Sequence, residues 1–365
     1  MTQQDAAPPG AETFPCDGCG AKLLYDAKSQ GMACRFCGHK QVVVVGNDPS
    51  AHREIPIEEG LALAERGLGT AVREVDCREC GSTVQVAPQE QTTRCAFCGS
   101  HQVLAREASG NRVRPASLVP FAVDKARAND TFAEWLGKLW FRPSDLRKLA
   151  KLQEMGGVYV PFWTFDATVH ARWTAEAGYY YQETEHYTDS QGNRQTRTVT
   201  KTRWEPASGR RTDHYDDTIV CASKGLPGDL VDKFETWSTS ELVPYKPDYL
   251  AGWKAEAYAI DLMPAWDRGK GKIEDEERSR CGRDVPGDTH RFLSVDCAFS
   301  GVTFKHVLLP VWIAAYRYKD KPYQFLVNGQ TGEVVGKAPW SIFKIAFLVL
   351  VIVAVIVAIA MLKNR

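Results

Sequence analysis

Eleven cysteines are the residues best equipped for chemistry in this 365-residue chain, and eight of them lie before residue 100. Cys16-x2-Cys19 is followed after 14 residues by Cys34-x2-Cys37, and the pattern returns as Cys77-x2-Cys80, 14 residues, Cys95-x2-Cys98. A Cys-x2-Cys pair makes a tight turn that aims two thiolates at one ion, and two such turns complete a tetrahedral S4 site. Gly20, Gly38, Gly81 and Gly99 follow the second cysteine of each pair, where the backbone must turn sharply. Four sulfurs leave no open coordination position, so each site predicts a structural Zn2+, two in all, and not a catalytic one. Tetrahedral S4 also suits iron. Disulfide pairing fits this spacing poorly in a reducing compartment. The repeat extends beyond the cysteines: Gly20, Gln30, Phe36, Gly38, Gln41 and Val42 match Gly81, Gln91, Phe97, Gly99, Gln102 and Val103. This is an internal duplication. His39 and His101 follow the ribbons closely, but the sites are already full, so both are expected on the surface.

No other motif carries chemistry. Gly269-Lys-Gly-Lys272 lacks the spacing and the hydroxyl residue of a phosphate-binding loop, and no GxSxG or HExxH occurs. Glu274-Asp-Glu-Glu277 reads as a charged helix face. His214 with Asp216 or Asp217 is the only other metal candidate, and no spacing supports it. Cys221, Cys281 and Cys297 read as ordinary thiols, since a cysteine nucleophile needs a positioned base. No catalytic residue is assigned, and the chain reads as a non-enzyme.

The elements that must hold these residues divide the chain. Residues 1–13 read as a disordered lead-in without the basic and apolar regions of a secretory signal. Residues 14–46 and 75–105 are the two zinc ribbons, with hairpin strands at Lys22–Tyr25 and Thr83–Val86. Residues 47–74 are a spacer with a short helix at Ile57–Arg66. Residues 106–157 are a linker followed by two basic amphipathic helices. Phe132, Trp135, Leu136, Leu139 and Trp140 share one helical face, and a second helix restarts at Pro143-Ser144-Asp145 and ends at Gly156-Gly157. Packing of this pair on the following sheet is the base-rate expectation; a membrane-surface role is the alternative.

Residues 158–338 have β texture, with helices at Pro227–Trp237 and Asp261–Arg280. Tyr179–Asp189 and Arg194–Trp204 flank Ser190-Gln-Gly-Asn193 as a long hairpin, with Glu185 facing Arg197 and Thr184 facing Thr198. Its distal half is polar on both faces and should project into water, as a partner-binding arm or a solvated ribbon. Val302–Leu309, Val311–Tyr318, Pro322–Val327 and Glu333–Val335 read as short strands, with a turn at Asn328-Gly329. Val158-Tyr-Val-Pro-Phe-Trp163 echoes Val307-Leu-Leu-Pro-Val-Trp312, which suggests two related halves.

The tail is apolar. Ile345–Leu362 is 18 consecutive uncharged apolar residues, roughly 27 Å as a helix against a hydrocarbon core of about 30 Å. A transmembrane helix over 342–362 follows, with Trp340 and a snorkelling Lys344 at one interface and Lys363 and Arg365 at the other. Moving three terminal residues across a bilayer is far easier than moving the rest. The expectation is therefore a tail-anchored, single-pass protein of the cell (plasma or inner) membrane, its bulk cytoplasmic and its C-terminus outside. The fold class is multidomain: two small four-cysteine zinc ribbons, a short α-helical connector, a mainly β (α+β) domain and one C-terminal transmembrane helix.

Charge narrows the function. The 45 basic and 45 acidic side chains cancel only as a sum of unlike segments. Residues 1–110 hold 10 basic and 14 acidic side chains, whereas residues 111–155 hold 9 and 5. Phosphate binding needs clustered Lys and Arg, so the acidic ribbons favour protein contact over nucleic acid.

Several stretches together resemble a known group: Trp140-Phe-Arg-Pro-Ser-Asp-Leu146, Val158–Ala167, Glu241-Leu-Val-Pro-Tyr245 with Tyr249-Leu-Ala-Gly252, and Val302–Pro310 with Gln324–Gly332. The chain resembles a bacterial family of membrane-anchored tandem zinc-ribbon proteins. Its members are often labelled primosomal protein N′ (replication factor Y) helicase or TFIIB-type zinc ribbon protein. The helicase label does not suit a chain without an ATP-binding loop. Some relatives accompany phage-shock and flotillin-like (SPFH) proteins in membrane-stress systems. The resemblance therefore implies an adaptor that brings such partners to the membrane, and it provides no catalytic residues.

Overall fold

The computed structural model describes residues 14–43, 53–64, 73–86, 95, 97–98, 100, 103–107, 113–143, 155–188, 190–234, 237–318 and 321–363. The first cysteine unit is a four-stranded antiparallel sheet of β1 (Phe14–Pro15), β2 (Lys22–Asp26), β3 (Gly31–Cys34) and β4 (Lys40–Gln41). Its hairpin turns because Asp26 accepts hydrogen bonds from the amide and hydroxyl of Ser29 while Gln30 takes a positive φ of 52°. Gly20 and Gly38 also have positive φ, as the glycine placement predicts.

After β5 (Ile55–Pro56) and α1 (Ile57–Ala64), the second cysteine unit contributes β6 (Arg73–Cys77), β7 (Thr83–Val86) and β8 (Val103–Glu107). Then come β9 (Ser117–Leu118), α2 (Lys125–Lys138), β10 (Gly156–Thr188), β11 (Arg194–Cys221), α3 (Gly228–Val231), β12 (Val243–Pro244), β13 (Lys254–Glu256), α4 (Leu262–Asp284), β14 (Thr289–Tyr318), β15 (Lys321–Asn328), β16 (Val334–Gly336) and α5 (Ile342–Lys363). Twelve of these strands form one sheet in the order β12-β9-β14-β10-β13-β7-β6-β8, with β11 on β10, β15 and β5 on β14, and β16 on β15.

The echo between Val158–Trp163 and Val307–Trp312 marks a local two-fold. The two segments pair with each other antiparallel, Val158 opposite Val311 and Phe162 opposite Val307. Each carries a short parallel strand at the corresponding place, Lys254 beside Val158 and Ser117 beside Val307. Each short strand leads through Phe-Ala-Val-Asp124 or Tyr-Ala-Ile-Asp261 into a helix, α2 or α4. The amides of Ala122 and Val123 donate to Gly329 O, and those of Ala259 and Ile260 to Ala222 O. Trp312 Nε1 donates to Val123 O and Trp163 Nε1 to Ile260 O, each at 2.9 Å. Two related halves thus interlock through exchanged indole bonds.

The symmetry also explains the prolines. Pro161 lies where the edge of β10 passes from β13 to β11, and Pro310 where that of β14 passes from β9 to β15. At these gaps a missing N–H breaks no ladder. Each proline carbonyl still accepts, from Ala222 N and Gly329 N. Residues 302–318 were expected as two strands, but β14 runs through Pro310 as a single 30-residue strand.

Beyond this centre β10, β11 and β14 continue as a three-stranded ribbon. Ala167, Val169, Ala171, Trp173, Ala175 and Ala177 alternate inward beneath α4, which buries Ala265, Gly269, Ile273 and Cys281. The small residues bring helix and sheet close. A Cβ on Gly209 would lie 2.4 Å from the Trp173 ring, so the indole occupies the space that glycine leaves. The hairpin register is as expected, Glu185 opposite Arg197 and Thr184 opposite Thr198, and its tip projects into solvent.

Other expectations need correction. Residues 106–118 were expected as linker, but Val113, Ser117 and Leu118 are buried at 7% exposure or less, as are Val119, Phe121 and Val123 just after them. An apolar run of this kind is core wherever the sheet has an open edge to receive it. The 47–74 spacer is partly sheet, since β5 pairs with Thr303 and Phe304. Leu139 caps α2 rather than continuing it, and Trp140 lies beyond the helix, because Pro143 disfavours helix in the residue before it. Gly156-Gly157 open β10. Helix in the 227–237 stretch is described only at Gly228–Val231, and the helix expected over 144–154 lies outside the described residues.

Candidate metal centres and apolar anchor

Each cysteine unit gathers its four sulfurs, with all ligand atoms of a cluster within 4.8 Å of one another. Cys16 to Cys37 and Cys19 to Cys34 are both 3.5 Å; Cys77 to Cys98 is 3.6 Å and Cys80 to Cys95 is 3.7 Å. Zinc–sulfur bonds of about 2.3 Å imply tetrahedral edges of about 3.8 Å. The separations are far above a disulfide bond of about 2.05 Å. Both clusters are therefore compatible with a zinc ion held by Cys16, Cys19, Cys34 and Cys37, and by Cys77, Cys80, Cys95 and Cys98.

Local bonds favour one thiolate in each cluster, Cys34 and Cys95. The Cys80 thiol, burial notwithstanding, helps hold Cys95 down to about 4, and that same bond pushes Cys80 up. Burial pushes Cys98 up to about 12. In the first cluster the Cys37 amide holds Cys34 at about 6. Ser82 is a residue that spacing alone did not reveal: its hydroxyl lies 3.3 Å from both Cys80 and Cys95 sulfurs. Ala21 stands at the matching place in the first unit, so the two centres differ in their surroundings. His39 is exposed, as expected; His101 lies outside the described residues.

Neither unit hangs free. Tyr25 N–H donates to Ala251 O at 3.0 Å, Trp253 Nε1 to Tyr25 O at 3.1 Å, and the Gln30 side-chain amide to Phe121 O at 2.7 Å. In the second unit β7 pairs with β13, Ala255 opposite Gln85, and Gln324 donates to Phe97 O at 2.8 Å. Glu256, 3% exposed, lies at this junction and accepts from Ser223; burial raises its carboxyl to about 8.

The unsupported candidate pairing of His214 with Asp216 or Asp217 is not among the metal-competent clusters of the described residues. His214 Nδ1 lies 2.9 Å from the Thr168 hydroxyl. Asp217, left-handed at φ 50°, instead joins Glu54 and Asp166. The cation among these carboxylates is Lys305, 5% exposed, whose ammonium lies 2.5 Å from Glu54 and 3.0 Å from Asp217. Burial first, then Glu54 and Asp217, raises Asp166 to about 6. The lone lysine in the apolar run Val302–Pro310 was the sequence signal for this cluster.

Among the described residues, Ile342–Leu362 is the one helix long and apolar enough to cross a membrane, with a mean hydropathy of 3.5 and none of its apolar window buried. At about 1.5 Å per residue it spans roughly 31 Å. Trp340 is exposed just before it. The ammonium of Lys344, expected at the same interface, donates to Trp140 O at 3.0 Å and Arg142 O at 2.9 Å. The side chain of Lys363 and all of Arg365 lie outside the described residues.

No family model matches the chain, and no solved structure does. The chain is 28% identical over 341 residues to "Uncharacterized protein YdjG" of Bacillus subtilis (strain 168), covering 92% of each protein, so the likeness extends well beyond the cysteine units.

Proposed function

We propose that this protein is a non-enzymatic, membrane-anchored adaptor, in which two structural zinc ions stabilise a β scaffold that presents cytosolic binding surfaces. The observation that carries it is the combination of two four-cysteine clusters, one built into the large sheet and one bonded to the loops beside it, and an exposed apolar helix that follows the same domain. Four thiolates per ion leave no position for a substrate. The projecting hairpin, with its exposed Tyr180, Tyr181 and Tyr187, supports a role in protein contact. Tyrosine is favoured at interfaces because it offers a large area at low entropy cost. The acidic balance of the cysteine region argues against nucleic acid. In this reading the helix is a single span of the cell membrane, the bulk is cytoplasmic and the C-terminus is outside. The partners are then cytosolic or membrane-stress proteins of the phage-shock or SPFH kind that the family resemblance implies. Full-length protein isolated in native detergent should carry two zinc atoms per chain by elemental analysis. Quantitative mass spectrometry should recover a stoichiometric protein partner. Recovery of no partner above a tail-only control would refute the adaptor role, and salt-sensitive DNA binding by the intact protein would favour a nucleic-acid factor instead.

A further inference from the structure

The base of the apolar helix is clasped by the turn Leu139–Pro143. Ser341 N–H donates to Phe141 O at 2.9 Å, the Lys344 ammonium donates to the carbonyls of Trp140 and Arg142, and Arg142 donates to Ala338 O. The Arg142 guanidinium also lies 3.8 Å above the Trp340 ring. The chain has ten tryptophans, and its two exposed ones are Trp140 at 58% and Trp340 at 62%, both at this junction. Elsewhere the indoles are buried or half-buried; Trp163, Trp173 and Trp312 are 6% exposed or less.

Depth follows from the bonds. Lys344 lies inside α5, about one helical turn beyond Trp340. The turn that satisfies its ammonium must sit at the same level. A bilayer that accepts Ile342–Leu362 therefore also meets Trp140 and Arg142. Exposed indoles favour the headgroup layer, where one end of the ring is apolar and the other wet. The local charge is of one sign: no acidic residue occurs from Trp135 to Ser144 or from Val334 to the C-terminus, whereas Lys138, Arg142, Lys337 and Lys344 do.

We infer that Leu139–Pro143 is a second membrane contact, a foot set into the headgroup layer of an anionic bilayer that holds the β domain against the surface instead of on a free tether. This rests on the reading of 342–362 as a span. The partner is lipid with anionic headgroups, matched by the cationic turn and its paired indoles.

The test uses full-length protein in vesicles of phosphatidylcholine with phosphatidylglycerol, with lipids brominated near the carbonyl end. In a Trp340→Phe background the shallow bromines should still quench a fraction of the fluorescence, and that fraction should vanish in the Trp140→Phe, Trp340→Phe double variant. Lys344→Leu, which keeps the span apolar but removes the two ammonium bonds of the clasp, should lower quenching of Trp140 at least twofold. Omitting phosphatidylglycerol should lower it as well. Equal quenching in the single and double variants, from protein that resists alkaline carbonate extraction, overturns the foot and leaves the span standing. Protein that carbonate strips from the vesicles overturns both.

Discussion

Removing the second metal centre should unfold far more than a 30-residue ribbon. In the Cys77→Ser, Cys80→Ser variant the site keeps two thiols, too few to hold zinc, and a structural zinc contributes on the order of 10 kcal/mol or more to a small ribbon. The cost passes to the large sheet because the ribbon is built into its core. Val75, Val84 and Phe97 are 7% exposed or less and share a cluster with Val158, Val160 and Val311. Re-exposing three such side chains costs roughly 5–9 kcal/mol at 1.5–3 kcal/mol each. The pairing of β7 with β13, the bond from Ala257 N to Thr83 O and the Gln324 bond to Phe97 are lost with them. That sum matches the whole stability of an ordinary domain, about 5–15 kcal/mol. At about 2–4 °C per kcal/mol for a domain of this size, the melting temperature should fall by roughly 10–35 °C. The assay is elemental analysis together with thermal melting followed by far-ultraviolet circular dichroism, on full-length protein in detergent. Zinc falling from two to one with an unchanged melting temperature would show that the ribbon is an appendage and refute the coupling argument.

Three further outcomes are expected. Asp166→Asn should match the wild type near pH 4 and be more stable above pH 6. The carboxyl is raised to about 6 by burial, so its favourable contribution is complete below the unfolded value and is lost as pH rises through the folded one. Half-exposure reduces the gain to about 1 kcal/mol, and urea melts across this range that show no pH-dependent gap would count against it. Trp163→Phe and Trp312→Phe should each cost about 2–4 kcal/mol, because each leaves one buried carbonyl, Ile260 O or Val123 O, without its indole donor. Unfolding free energies from denaturant melts that differ by more than about 1 kcal/mol would contradict the two-fold equivalence. Replacing residues 183–199 with an Asn-Gly turn, which joins the paired Gln182 and Thr200, should change the melting temperature by no more than a few degrees, since this tip is solvated on both faces, while partner recovery in the detergent pull-down falls to the tail-only level. A large loss of stability would place the tip in the core instead.

Local signals were legible without coordinates. Cys-x2-Cys spacing is a short-range constraint, and the four sulfurs of each unit meet as it requires. The Ser190–Asn193 turn sets the hairpin register, because one residue of slip would reverse every side chain. An unbroken apolar run long enough to span a bilayer needs no partner to be recognised. The echo of Val-x-x-Pro-x-Trp carried the two-fold, although its extent lay in bonds from Ala122, Val123, Ala259 and Ile260 that no six-residue match contains.

Other features came from distant segments meeting. Pro310 reads as a strand end until β9 and β15 leave a gap at its edge. Residues 106–118 read as linker until β14 accepts Ser117 and Leu118 alongside Val307 and Leu308. Lys305 and its carboxylates Glu54 and Asp217, and Lys344 and the carbonyls of Trp140 and Arg142, are also far apart in the chain. Composition and spacing are set within a few residues and so could be read directly. Which polar group satisfies which, and where a four-cysteine unit joins a sheet, depends on side chains brought together by burial, and that only the tertiary structure decides.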